Sequence, residues 1–244
     1  MNSILKVIWN LVFNLTGLDI SFGANYKDWT FYLIELRADY QRVKEMLAER
    51  QIVPREVVPG ETRIQIVGCD MRDVQIIGSY QEVSIQVPVE LMDEGPNEIY
   101  AHLYLPVTTE AARWPGVDIT GFPKFIALID IEKKESQIDC RLGNKDEPIL
   151  EFRMDDFVGE EQKFIWEYYG NRKERIIKTT FELKGMVYEE EANPNAILLL
   201  GKHPISKTIR NLLLSDKVLR TVIGHNVSGF LRKPVCVEYK GKAS

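Results

Sequence analysis

The segment Gly121-Phe122-Pro123-Lys124-Phe125-Ile126-Ala127-Leu128-Ile129 sets one lysine among apolar residues. Pro123 has a fixed φ and no amide hydrogen, so it stiffens the chain just ahead of Lys124. Gly121 permits a tight approach before it. Burial disfavours the charged form of an amine. A neutral amine attacks a carbonyl carbon, whereas an ammonium does not, so a lysine in an apolar pocket suits Schiff-base chemistry. The same residues also fit a snorkelling lysine, its stem on apolar surface and its head in water, because lysines are seldom fully buried. Glu82 is the second candidate. It shares the polar side of an alternating stretch with Ser84, Gln86 and Pro88, opposite Val83, Ile85, Val87 and Val89. In an open sheet that side is solvated. In a closed barrel it becomes a polar lumen, where Glu82 would shuttle protons or orient an imine.

The elements that must position these two residues are mostly strands. Alternation predicts a strand over residues 80–89, and residues 98–105 form a second that pairs with it as a hairpin. Aromatic and β-branched residues mark a strand at 29–37. A helix follows over 39–49, with Val43, Met46 and Leu47 on one side, and a short strand at 63–67. Residues 108–114 read as one or two helical turns, followed by a loop holding Pro115, Gly116, Gly121 and Pro123. Residues 124–132 then read as one core strand, apolar on both faces. Further strands are expected at 136–142, 149–154, 163–169, 175–188 and 235–239, and a helix at 205–214. Many strands at short intervals with few helices predict a mainly β (α+β) fold, antiparallel, barrel-like and closed or nearly closed, with peripheral helices. Residues 1–244 read as a single domain.

Composition excludes several classes. The chain has 244 residues, 45% hydrophobic and 27% charged, with net charge −5. That is ordinary globular composition, with no basic face for nucleic acid. No Gly-rich phosphate loop and no Gly-x-Ser-x-Gly elbow occurs. Cys69, Cys140 and Cys236 lie far apart and read as reduced thiols of a cytoplasmic protein. His102, His203 and His225 lack metal-ligand spacing; His102, in a strand between the two segments, either faces the site or, as the commoner case, is a hydrogen-bonded structural histidine. Neither metal nor cofactor is expected. Ile4, Ile8, Leu11, Val12 and Leu15 recur at helical spacing, so residues 1–16 are expected to form a helix. That helix is too short to span a bilayer and carries only Lys6 as a cation. It reads as packing on the body or a neighbouring subunit rather than on a membrane.

The run Gly116-Val117-Asp118-Ile119-Thr120-Gly121-Phe122-Pro123-Lys124 resembles the signature of the acetoacetate decarboxylase family, in which a Gly-Arg-Glu run leads to an aromatic, a proline and the Schiff-base lysine. Tyr80-Gln81-Glu82 resembles that family's Tyr-x-Glu segment, and Tyr100-Ala101-His102-Leu103-Tyr104-Leu105 its intervening hydrophobic strand. The similarity is clear over residues 60–132 and weaker over 28–49. It implies a double-cone or barrel fold, usually homo-oligomeric, in which Lys124 and Glu82 are catalytic and Phe122, Gln65 and Trp29 line the substrate site. It further implies a small keto-acid substrate, decarboxylated through an iminium on Lys124. Aldol condensation or dehydration through the same imine, and a non-catalytic ligand-binding barrel, are the alternatives. The departures are specific. Phe125 replaces a second lysine, Val117 and Asp118 replace the Arg-Glu pair, Trp29 falls near an arginine with Lys27 two residues earlier, and Gln65 falls on a second glutamate.

Overall fold

A computed structural model describes residues 23–90, 97–172, 174–191 and 194–237. The expected helix over residues 1–16 lies outside them. Strands dominate. The first is β1 (Gly23–Asp39), followed by helix α1 (Tyr40–Leu47). Asp39 caps that helix by accepting from the Arg42 amide at 2.9 Å, and Val43 and Leu47 are buried beneath it. Strands β2 (Glu61–Val74), β3 (Tyr80–Val89) and β4 (Ile99–Val107) form an antiparallel run with β1. Two long strands, β9 (Glu160–Arg172) and β10 (Arg175–Glu190), continue the sheet. A third, β12 (Leu213–Arg232), pairs with both β10 and β1. Hydrogen bonding thus returns on itself through β12, β1, β2, β3, β4, β9 and β10, closing a ring. The β4–β9 pair is parallel. Short strand β13 (Val235–Val237) extends the edge of β10.

A second antiparallel sheet lies against the ring in the order β11 (Ala196–Leu200), β8 (Pro148–Asp155), β7 (Gln137–Gly143), β6 (Ile129–Lys134). Alternation in the ring strands serves two cores. Val83, Ile85 and Val87 face outward and pack with Cys140, Leu150 and Phe152 of the second sheet. The opposite faces of the ring strands enclose an interior with its own cluster, including Trp29, Phe31, Cys69 and Tyr80. Phe152 has no exposed surface. Phe152→Ala therefore deletes a large ring where two sheets meet and is expected to cost about 3–5 kcal/mol. The check is a lower urea midpoint with unchanged slope.

Three expectations change. The apolar run 124–132 is two strands in two sheets. Strand β5 (Lys124–Ile126) pairs parallel with β4, while β6 joins the second sheet. Between them the Ala127 amide donates to Val107 O at 3.1 Å, and Leu128 O accepts from Gly143 at 2.9 Å. The chain changes partners there, and Ile126 and Leu128 are 45% and 67% exposed, so this is no core strand. Pro115 and Gly116 lie in helix α2 (Glu110–Asp118), not in a loop. Thr109 caps that helix by accepting from Ala112. β11 and β12 are additional to the expected strands. Helix α3 (Pro204–Leu212) falls where a helix was expected and buries Ile209 and Leu212. No helix among the described residues is long and apolar enough to cross a membrane.

Candidate active site

Lys124 opens β5, directly opposite Leu105 of β4. The preceding turn is pinned by Phe122 N donating to Gly116 O at 2.9 Å and Thr120 Oγ1 donating to the same carbonyl at 2.6 Å. Gly121 has φ +70°, and a Cβ there would lie 2.6 Å from the backbone of Asn171. Glycine suits it for both reasons. The end of α2 is thereby held against the lysine stem. A Cβ on Gly116 would fall 2.3 Å from Lys124 Cδ and 2.6 Å from Cε. Gly116 is the gap through which the stem reaches the interior. Gly116→Ala is expected to displace the amine rather than the fold, because the clash is with a flexible side chain. A shift of about 1 Å can lower turnover about a hundredfold. Steady-state kinetics with an unchanged melting temperature would show it.

Inside, Lys124 Nζ donates to Glu82 Oε2 at 2.9 Å, with the two side chains 8% and 14% exposed. The amine also sits 5.5 Å from the centre of the Tyr80 ring. Glu82 reaches it from β3, on the same face as Ser84 and Gln86, so the polar side of the alternating strand is the lumen side. The cavity they share is walled mainly by apolar and aromatic residues, among them Trp29, Leu105, Phe122, Trp166, Tyr168 and Phe181. It measures about 70 Å³ by the space open to water centres. One water needs roughly 10–15 Å³ on that measure, so the cavity suits a few waters or one small organic molecule. Among the described lining residues, Lys124 is the cation and Glu82 the anion.

Neighbouring groups stay neutral. Burial, then the Glu82 charge, pushes the Tyr26 and Tyr80 phenols and the Cys69 thiol up. Burial, then the charges of Lys124 and Arg50, pushes the His102 imidazole well below its usual range. The cavity therefore offers one ion pair surrounded by uncharged hydroxyls and one neutral imidazole. Among the described residues no group of three His, Cys, Asp or Glu is placed to hold a metal ion.

Of the five residues singled out by sequence, Lys124, Glu82, Phe122 and Trp29 meet at this cavity. Gln65 does not line it. Its amide oxygen accepts from Gln86 Nε2 at 2.9 Å, one layer back. Trp29 is 2% exposed, stands 5.7 Å from Trp166, edge to face, and its indole N–H has no hydrogen-bond partner among the described residues. Ser84 and Gln86 line the cavity too, on the period-two face of Glu82 that a closed barrel turns into a polar lumen, whereas the β9 aromatics Trp166 and Tyr168 were missed.

A family model for acetoacetate decarboxylase (ADC) matches residues 18–163, more than half of the sequence. The chain belongs to the acetoacetate decarboxylase family. Its fold is similar to that of an acetoacetate decarboxylase, with TM-score 0.64 and 13% identity over 91% of this chain and 93% of that one. It is similar to acetoacetate decarboxylase from Legionella pneumophila subsp. pneumophila str. Philadelphia 1, with TM-score 0.62 and 16% identity over 89% and 88%. It is also similar to the enduracididine biosynthesis enzyme MppR, complexed with the condensation product of pyruvate and imidazole 4-carboxaldehyde. Here the TM-score is 0.63 and the identity 12%, over 93% and 94%. At these identities the likeness is one of fold. No curated protein matches the chain in sequence.

Proposed function

We propose that Lys124 forms a Schiff base with the carbonyl group of a small substrate, and that the reaction is most simply decarboxylation of a β-keto acid such as acetoacetate. The observation that carries this reading is the 2.9 Å contact of Lys124 Nζ with Glu82 Oε2 at the wall of an apolar cavity. The pair holds the amine at the cavity beside a carboxylate able to carry protons in the later steps, and Schiff-base chemistry suits a lysine set in such an apolar pocket. Attack on the ketone and loss of water give an iminium. The bond to the substrate carboxylate then breaks, carbon dioxide leaves, and the electron pair moves into the iminium to give an enamine. A proton delivered to carbon, with Glu82 as its carrier, and hydrolysis return the ketone and the free lysine.

A second reading keeps the imine and changes the bond: aldol-type condensation or dehydration. It is favoured by Trp29 standing where the resemblance puts a carboxylate-receiving arginine. MppR, complexed with a condensation product, lends this second reading a precedent on the same fold. The test for imine chemistry is borohydride trapping with acetoacetate and a panel of 2- and 3-keto acids. A mass gain on the Lys124 peptide is expected. No gain with any of them, from folded protein at neutral and mildly alkaline pH, would overturn the enzymatic reading and leave a barrel that binds a small ligand.

A further inference from the structure

Four strands place Glu35, Gln65, Gln86 and His102 in one row. Glu35 of β1 is opposite Gln65 of β2, Gln65 is opposite Gln86 of β3, and Gln86 is opposite His102 of β4. Their side chains form a chain of hydrogen bonds that runs to the cavity. Gln65 Nε2 donates to Glu35 Oε2 at 2.9 Å, Gln86 Nε2 donates to Gln65 Oε1 at 2.9 Å, and Ser84 Oγ donates to Gln86 Oε1 at 2.7 Å. Ser84 Oγ lies 2.8 Å from His102 Nδ1.

The direction of this chain follows from its outer end. Glu35 is ion-paired with Arg63 at 3.8 Å, and an ionised carboxylate only accepts. Tyr100 also faces Gln65 Nε2, at 3.3 Å, and its own hydrogen is committed to Glu98 Oε2 at 2.6 Å. Gln65 must therefore turn its NH₂ outward and its oxygen toward Gln86. Gln86 must then present NH₂ to Gln65 and oxygen to Ser84. The single Ser84 hydrogen is used on Gln86, so the hydroxyl oxygen can only accept from His102. Reversing any amide would set oxygen against oxygen somewhere along the row, and the reversal cannot be passed on beyond the carboxylate.

We infer that this row locks His102 as its Nδ1–H tautomer and presents the Nε2 lone pair to the cavity as an acceptor for a hydroxyl group of the substrate. Among the described residues the ring's side-chain hydrogen bond is the one at Nδ1, and the ring lines the cavity with Lys124 and Glu82 as well as a cleft beside Arg50 and Asn171. The ring is held in place by stacking on Tyr168 at 4.5 Å and by the edge contact with Phe122 at 4.6 Å. Burial keeps the imidazole neutral, which a lone-pair acceptor requires. The substrate class that fits is a small hydroxylated carbonyl compound. This rests on the Schiff-base reading for the carbonyl end, but not on which bond then breaks. Ser84, Gln86 and Gln65 are positioning residues in this scheme.

Two measurements test it. The protein has three histidines, so ¹⁵N spectra of labelled protein resolve them, and His102→Asn identifies the resonance by its loss. The expected signature is Nδ1–H with a bare Nε2, reverting in Ser84→Ala toward the Nε2–H form that free side chains favour. An Nε2–H or doubly protonated His102 in the unaltered protein would overturn the proposal. The second is borohydride trapping with hydroxyacetone and 4-hydroxy-2-butanone against acetone and 2-butanone. The hydroxylated members are expected to be trapped at about tenfold lower concentration, the size of one hydrogen bond. In His102→Asn, which keeps a donor to Ser84 and removes Nε2, that preference disappears. Equal trapping of both pairs, or a preference that survives His102→Asn, sinks the role of His102 and leaves the imine standing. No adduct with any of the four removes the imine instead. The ¹⁵N spectrum then decides alone: an Nε2 signal that moves with hydroxyacetone and not with acetone keeps the acceptor, and an unmoved one overturns it.

Discussion

Arginine at position 124 is expected to leave the protein folded and to reduce imine trapping and turnover to background. The two halves of that result have different causes. Lys124 Nζ is the cation that balances Glu82 inside a mostly apolar cavity. Arginine keeps that positive charge beside the carboxylate, with donors to spare. Its guanidinium stays protonated and does not condense with a ketone, so borohydride adds no mass. Lys124→Ala differs in the first half. Removing one partner of a largely buried pair leaves an uncompensated charge, at a cost of about 3–5 kcal/mol. Urea unfolding of the two variants should separate by that amount, with alanine the less stable. A Lys124→Arg protein that still accumulates a borohydride-fixed adduct would place the nucleophile elsewhere.

The strand-rich class was legible in local periodicity, whereas Lys124 and Glu82 were singled out by the resemblance of their segments to the acetoacetate decarboxylase family. Strand β3 alternates cleanly, so Glu82 had to share a face with Ser84 and Gln86. What remained open was whether that face met water or a lumen. Only ring closure through β12 decides it, and β12 is hard to read. It carries Gly224 and Gly229, and its register against β1 shifts along its length, so apolar residues do not alternate there. The run after Lys124 failed for a related reason. A residue period cannot tell one long strand from two that change partners at Ala127 and Leu128, because the parallel pairing with β4 is a long-range choice. Pro115 and Gly116 looked like loop residues on intrinsic preference. The Thr109 cap and the close approach of the Lys124 stem at Gly116 outweigh that preference. Gln65 points to the same side as Val67 and Cys69, yet Gln86 occupies the cavity end of its row and leaves Gln65 behind it.

Glu82→Gln should separate imine formation from turnover. Glutamine is nearly the same shape, and its amide oxygen can still accept from Lys124, so the lysine keeps its place at the end of β5. What disappears is a carboxylate able to take and return a proton. Its neighbours do not replace it. Burial, the larger cause, still holds the Tyr26 and Tyr80 phenols and the Cys69 thiol up once the Glu82 charge is gone, so none of them is a base near neutral pH. His102 lines the same cavity, but burial, then the charges of Lys124 and Arg50, push its imidazole well below its usual range, which makes it a poor base. Loss of a positioned acid–base group lowers rates by about 10²–10⁴-fold, and that is the fall expected in product release. Trapping should persist with the same mass gain on Lys124, because borohydride reduces whatever iminium accumulates. Turnover and trapping lost together would mean that Glu82 is needed to form the imine. Both unchanged would make it a counter-ion alone, and the proton carrier would then have to be sought among the buried hydroxyls around it.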